Sequence, residues 1–232
     1  MASVDIGRNG KRTAVVVVAP VVLLAVFLAH PYLAGRLPDD AGVAEAVAAG
    51  PTQWGAVHLA TALASGLLIL AFLAVRSYLR EAGEDRFSSL GVPFVVIGST
   101  LLAFLPGMEF APLAVAETGA TAIEIEAAQE ALASWFLPVL VTGALVFAIG
   151  VLAFARAISV AAVGSRGFTR VVVVALIVMA VSRFVPLAAV QFYVQGVAVI
   201  VALWPLVYAM QTQSAPTARF SLRISSRSIR NS

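Results

Sequence analysis

Of 232 residues, 61% are hydrophobic and 12% charged, whereas about a quarter of the residues of an average soluble domain carry charge. Cysteine is absent, which excludes disulfides, thiolate nucleophiles, Cys-ligated zinc and iron–sulfur clusters. The net charge of +3 does not point to nucleic acid, because the arginines lie at the ends of apolar runs, where membrane topology accounts for them.

Six stretches hold no charged side chain: 13–34, 53–75, 87–108, 131–155, 171–182 and 184–218, the last two separated by Arg183 alone. A helix that is apolar all round is solvated by lipid or by a large core, and this chain is too short for the second. The runs predict an all-α, polytopic membrane helix bundle of six transmembrane helices. They span about 13–34, 53–76, 88–110, 131–159, 171–187 and 190–211, with a basic tail at 212–232. Spans and short loops use nearly the whole chain and leave no separate soluble domain.

In chain order, Arg8, Lys11 and Arg12 precede the first run. This resembles a secretory signal, but the run is too long. Tyr32-Leu33-Ala34 also sets a bulky residue where cleavage needs a small one, so the first span is expected to stay attached. Pro20 is expected to bend it, and His30-Pro31 marks its outer end. A loop follows, in which 41–49 is expected to form a short surface helix capped by Asp40. The inner end of the second span carries Arg76, Arg80 and Arg86 among Glu81, Glu84 and Asp85; the third ends near Pro106-Gly107 and leads into an acidic loop with Glu109, Glu117, Glu124 and Glu126.

Thr121-Ala122-Ile123-Glu124 has capping-box spacing. It predicts a fourth helix that starts well outside the membrane and runs past Trp135 to about Ser159, bent rather than ended by Pro138. The fifth span ends near Pro186, and Trp204 and Tyr208 mark the inner end of the sixth. Ala56, Ala60 and Ala64, and Gly143 with Gly150, offer small-residue seams for close helix packing.

Charge sets the orientation. Of the fifteen Lys and Arg residues, all but Arg36 and Arg183 fall in the N-terminus, the 76–86 loop, the 156–170 loop and the tail. By the positive-inside rule both termini are cytoplasmic and the spans are even in number, as expected of a multi-pass protein of the cell (inner) membrane. The tail arginines, Arg219, Arg223, Arg227 and Arg230, interleave with Phe220, Leu222, Ile224 and Ile229. They suit the anionic inner leaflet as a partner. The other partners expected are the bilayer itself and further subunits, of this chain or another; no nucleic acid is expected.

One layer holds the polar residues that apolar spans can least easily accommodate. His30, His58, Glu109, Glu130, Arg183, Gln191 and Gln195 fall at one level on the outer side, with Trp54 opening the second span. Ionisable groups at that depth usually face the bundle interior or a water-filled cavity. Arg183 is expected to contact Glu109, Glu130 or a glutamine of the sixth span, so that its loss would strand a carboxylate.

Three functions fit. One is transport or binding of a small molecule or ion through an outward-facing polar pocket. Another is a membrane-embedded metal or haem redox or enzyme module using His30 and His58, with Glu109 as a third metal ligand. The third is a structural subunit of a larger membrane complex, its polar layer joining helices. No cofactor is required by the sequence. G-x-S-x-G and the P-loop are absent, and Lys11 is the only lysine, which leaves no in-span amine for a retinal Schiff base.

Trp54-x-x-x-His58-Leu59, Gly66-Leu67-Leu68, Gly107-Met108-Glu109 and Ala155-Arg156 resemble motifs of uncharacterised small multi-span membrane proteins of actinobacterial type. The resemblance covers roughly 50–170. It implies a six-helix or similar bundle and names no substrate.

A topology reporter checks the charge argument. Fused after Ser232, or placed in the 81–86 loop, it is expected to report the cytoplasm; periplasmic activity at Ser232 would refute an even span count.

Overall fold

A computed structural model of the protein describes residues 3–213. Among these the fold is all-helical, without a named strand: α1 Ser3–Ala29, α2 Asp40–Ala49, α3 Pro51–Glu81, α4 Arg86–Met108, α5 Phe110–Glu117, α6 Ala122–Ala161, α7 Arg166–Ser182 and α8 Gln195–Gln213. A π-helical turn, Ala189–Val194, leads into α8. Five helices are long and apolar enough to cross a membrane: Gly10–Ala29, Pro51–Glu81, Arg86–Glu117 (α4 with α5), Ala122–Ala161 and Ala189–Thr212. The tail from 214 on, with its four arginines, lies outside the described residues.

The six long helices form a ring. α1 packs on α3, α3 on α4, α4 on α6, α6 on α7, α7 on α8, and α8 closes on α1. Its interior is apolar, built on Phe27, Phe72, Phe147, Phe154, Leu176, Met179 and Leu203. The outer surface is apolar too: Leu63, Leu70, Ile97, Phe104, Leu145, Val174 and Val197 are exposed, as lipid requires and water penalises. At the end of the ring that holds Arg12 and the end of α3, charges return; the Arg12 guanidinium meets Glu81 at 2.6 Å and Arg76 meets Asp85 at 3.1 Å. The opposite end is called distal below.

Local chemistry accounts for the helix ends. α1 stops at Ala29 because Pro31 disfavours helical geometry at His30. α3 starts on Pro51, whose missing N–H is no loss at a first position. The capping box of α6 forms as its spacing predicts: Thr121 N donates to Glu124 Oε2 at 2.7 Å, and Glu124 N donates to Thr121 Oγ1 at 3.4 Å. α6 then runs uninterrupted for 40 residues through Pro138, a rod of about 60 Å, twice the hydrocarbon thickness of a bilayer.

The distal half of α6 carries a second small core. Leu33, Val43, Ala44, Val47, Trp54, Leu113, Ile125 and Ala188 pack there, so α2, α5 and the start of α6 make a cap over the ring. Two expectations change. The cap of α2 is Asp39, not Asp40; its carboxylate accepts from Gly42 N at 3.1 Å. The segment after α4 is not all loop but folds as α5, because Pro112 and Leu113 are buried.

The closest helix pair, α4 with α6, is set by glycine. Gly143 and Gly150 face α4 as expected, and they meet a matching heptad, Gly91 and Gly98. A Cβ on Gly98 would lie 2.5 Å from Phe147 Cα, and one on Gly150 2.6 Å from Val95 N; backbone cannot yield as a flexible side chain can. The alanine seam is weaker, since Ala64 is buried but Ala56 is exposed. Gly98→Ala and Gly150→Ala are expected to destabilise the protein by about 1–3 kcal/mol each by overpacking, lowering the detergent melting temperature. Gly66→Ala, which meets nothing within 4 Å, is the neutral control.

Candidate functional site

Between the ring and its distal cap lies a cavity of about 120 Å³. A water needs only about 10–15 Å³ of such space, so the cavity has room for several waters or a small organic molecule. Its wall draws on α1 and the loop after it (Phe27, His30, Leu33, Leu37, Pro38, Asp39), α3 (Trp54, His58, Thr61, Ser65) and α4 (Leu102, Leu105, Pro106) with Glu109. α6 adds Gln129, Phe136 and Leu140, and Arg183, Gln191 and Phe192 come from the segment joining α7 to α8.

That segment makes the cavity possible. α7 ends at Ser182, and the backbone is unwound until Ala188. Unwound carbonyls in an apolar setting need donors. The Gln191 amide, buried on the π-helical turn, supplies two bonds, to Arg183 O at 3.3 Å and Val185 O at 3.0 Å. Leu37 N supplies another, to Pro186 O at 3.1 Å. The extra residue of a π turn re-aims side chains along its helix; here it sets Gln191 beneath the break.

The α1–α3 wall is aromatic. His30 packs against Trp54 at 5.4 Å, His58 at 5.1 Å and Phe192 at 4.7 Å between ring centroids. Trp54 lies 4.3 Å from His58. Nδ1 of His58 bonds the carbonyl of Trp54, and Nδ1 of His30 that of Pro31, each at 2.7 Å. A carbonyl only accepts, so each Nδ1 carries the proton.

On the α4–α6 side Gln129 Nε2 donates to Glu109 Oε1 at 3.1 Å. This leaves Glu109 Oε2 and Gln129 Oε1 buried without a hydrogen-bond partner. Across the cavity the Arg183 guanidinium stands over the Phe27 ring at 5.7 Å, its Nε also buried and unpartnered. Trp54 Nε1 is a further buried donor without an acceptor. At the distal rim, the Asp40 carboxyl is pushed above the usual range by partial burial, then by the nearby charges of Glu130 and Asp39.

The predicted layer is thus largely one site. His30, Trp54, His58, Glu109, Arg183 and Gln191 all line the cavity. Gln195 is buried on α8 but is not part of the wall. Glu130 is exposed, and its place is taken by Gln129. Helix phase explains the exchange: Ile125, Gln129, Phe136 and Leu140 share the inward face of α6, which the capping box together with the large apolar residues would have indicated. Asp39, Thr61 and Ser65 also line the wall and were missed, because hydroxyls in apolar helices usually bond their own backbone, as Thr61 does to Val57 O at 2.8 Å.

Two other expectations meet a different geometry. Among the described residues no group of three or more His, Asp or Glu is placed to hold a metal ion. His30, His58 and Glu109 are thus not gathered as a three-ligand set, and the two imidazoles pack edge to face with their ring centroids 5.1 Å apart. Arg183 does not pair with Glu109 or Glu130; the ion pairs among the described residues are Arg12–Glu81 and Arg76–Asp85. Its bond with Gln191 runs through its backbone carbonyl.

Compared with known proteins, the chain matches no family model, no curated protein and no solved structure.

The Arg183 geometry reverses the expected sign of a mutation. With no partner carboxylate to strand, Arg183→Met removes an uncompensated charge from a half-buried site and forfeits only a cation–π contact of about 0.5–2 kcal/mol. The melting temperature in detergent is expected to stay near wild type or rise. A drop of many degrees would show that Arg183 is paired after all.

Proposed function

We propose that the protein is a multi-pass inner-membrane protein with six spans and both termini in the cytoplasm, which binds or translocates a small molecule through a pocket open to the outside. The charge segregation supports this sidedness. α7, at 17 residues, is short for a span but within the workable range of about 17–25, and it completes the ring. On this orientation the distal cavity is the outward pocket.

The observation that carries the reading is the composition of the cavity wall. A stable bundle has no use for a buried carboxylate oxygen, a buried amide oxygen and a buried guanidinium nitrogen, all unpartnered, around one void. Each such group costs about 1–3 kcal/mol, more when charged. Groups retained at that cost serve a purpose other than joining helices, since joining would require them to pair. This disfavours a purely structural role for the layer.

The absence of cysteine makes the test clean. Thr61→Cys and Ser65→Cys introduce single thiols on half-buried wall positions. Ser99→Cys places one on the buried face of α4, away from the cavity. In intact cells or right-side-out vesicles, a membrane-impermeant methanethiosulfonate is expected to modify the Thr61 and Ser65 variants from outside and to spare the Ser99 variant. If neither wall position reacts, the pocket is not reached from that side and the reading is wrong.

A further inference from the structure

The cavity holds opposite charges that do not meet. Glu109, 7% exposed, closes α4, whereas Arg183 follows α7. In the ring these two helices are separated by α6. No contact within 4.0 Å joins the two side chains, although both line the same void. A carboxylate and a guanidinium in one low-dielectric space attract strongly and collapse into a pair unless the scaffold holds them apart. Here it does. Glu109 is held toward α6 by the Gln129 amide at 3.1 Å, and the Arg183 guanidinium is held over Phe27.

The unfilled valences around the two charged groups differ in sign, with the Trp54 indole a further donor on the α1–α3 wall. On the α4–α6 side they are acceptors, Glu109 Oε2 and Gln129 Oε1. This is the complement of an ammonium group, which offers three donors and no acceptor. At Arg183 the unfilled valence is a donor, Nε, on a guanidinium whose planar fork is the complement of a carboxylate. Between them the wall is aromatic and aliphatic, with Phe27, Phe192, Leu102 and Leu105, suited to a short methylene chain.

Resting on the reading of this cavity as a binding pocket, we propose that its ligand class is a small zwitterion, an amine and a carboxylate separated by a short apolar spacer. The ammonium sits against Glu109 and Gln129 and the carboxylate against Arg183. Such a ligand neutralises both buried charges at once. An anion alone leaves Glu109 unpaired, and an amine alone leaves Arg183 unpaired.

The test uses the full-length protein in detergent and a matched probe set: glycine, β-alanine, 4-aminobutyrate and 6-aminohexanoate, with butyrate and butylamine as single-charge controls. Affinity is read by calorimetry and by thermal shift. At least one zwitterion longer than glycine is expected to bind ten-fold or more tighter than either control. Glu109→Gln is expected to reduce that preference to the level of butyrate, and Arg183→Gln to the level of butylamine. The matched comparison on the wild-type protein does not depend on either variant folding. If butyrate or butylamine binds as well as every zwitterion, or if no probe binds, the proposal is overturned. Outside-in labelling at Thr61 and Ser65 still succeeds if only the ligand class is wrong, which separates this failure from failure of the pocket itself.

Discussion

A backbone that stops being helical inside an apolar bundle has to find hydrogen-bond partners there, because lipid and apolar side chains offer none. The break between Ser182 and Ala189 is where this constraint acts, and the distal half of the molecule is arranged around its solution. Gln191 turns its amide to the carbonyls of Arg183 and Val185, and Leu37 brings the loop after α1 to Pro186. Two segments far apart in sequence are thereby tied at one point. Because α7 ends early, its side of the ring is open at the level where α1, α3, α4 and α6 continue. The space left is the cavity, and the cap of α2, α5 and the start of α6 closes over it.

The remaining distal contacts support this arrangement. Trp54 belongs both to the cap core and to the cavity wall, so the packing that stabilises the cap also fixes one face of the pocket. His58 is held from its own helix by the Trp54 carbonyl, which leaves its ring no freedom to turn and pair elsewhere. Glu109, at the junction of α4 and α5, is oriented by Gln129 from a helix that approaches closely only because Gly91, Gly98, Gly143 and Gly150 permit it. The glycine contact near the middle of the ring and the polar geometry at its distal end are linked by the same two rods.

Much of this was legible in the sequence. Lipid-solvated helices declare themselves by uncharged length, and the capping box at Thr121 fixed the start of α6 because both of its partners are local. The polar level emerged from counting residues along each run, and six of the eight residues assigned to it line the cavity. What failed was azimuth. Counting gives height along a helix but not which way a side chain faces, so Glu130 was taken for Gln129, one residue and about 100° away. Arg183 was expected to contact Glu109, Glu130 or a glutamine of the sixth span on the principle that buried charges pair; it meets Gln191, but through its backbone carbonyl and not its guanidinium. The π-helical turn has no sequence signature here. Its cause is tertiary, the need of the broken chain above it. The Gly91–Gly98 heptad was visible but has meaning only opposite Gly143 and Gly150.

α7 has a consequence outside the protein. Its 17 residues rise about 25 Å, against a hydrocarbon layer of about 30 Å. Opposite it in the ring, α3 and α4 have no such shortfall. On the proposed six-span reading, a bilayer around this bundle meets unequal hydrophobic heights on its two sides. It must dip toward α7 by several ångströms or tilt the whole bundle, at a fraction of a kcal/mol per ångström of mismatch. Tyr32 and Tyr193, stacked at 6.5 Å near the break, mark where that lowered surface would settle, since tyrosine favours the headgroup boundary. The bundle is in this sense a wedge. Membrane thickness becomes a variable that acts on the unwound segment first, so that a thicker, sterol-like or longer-chain bilayer pulls on the same few residues that shape the pocket.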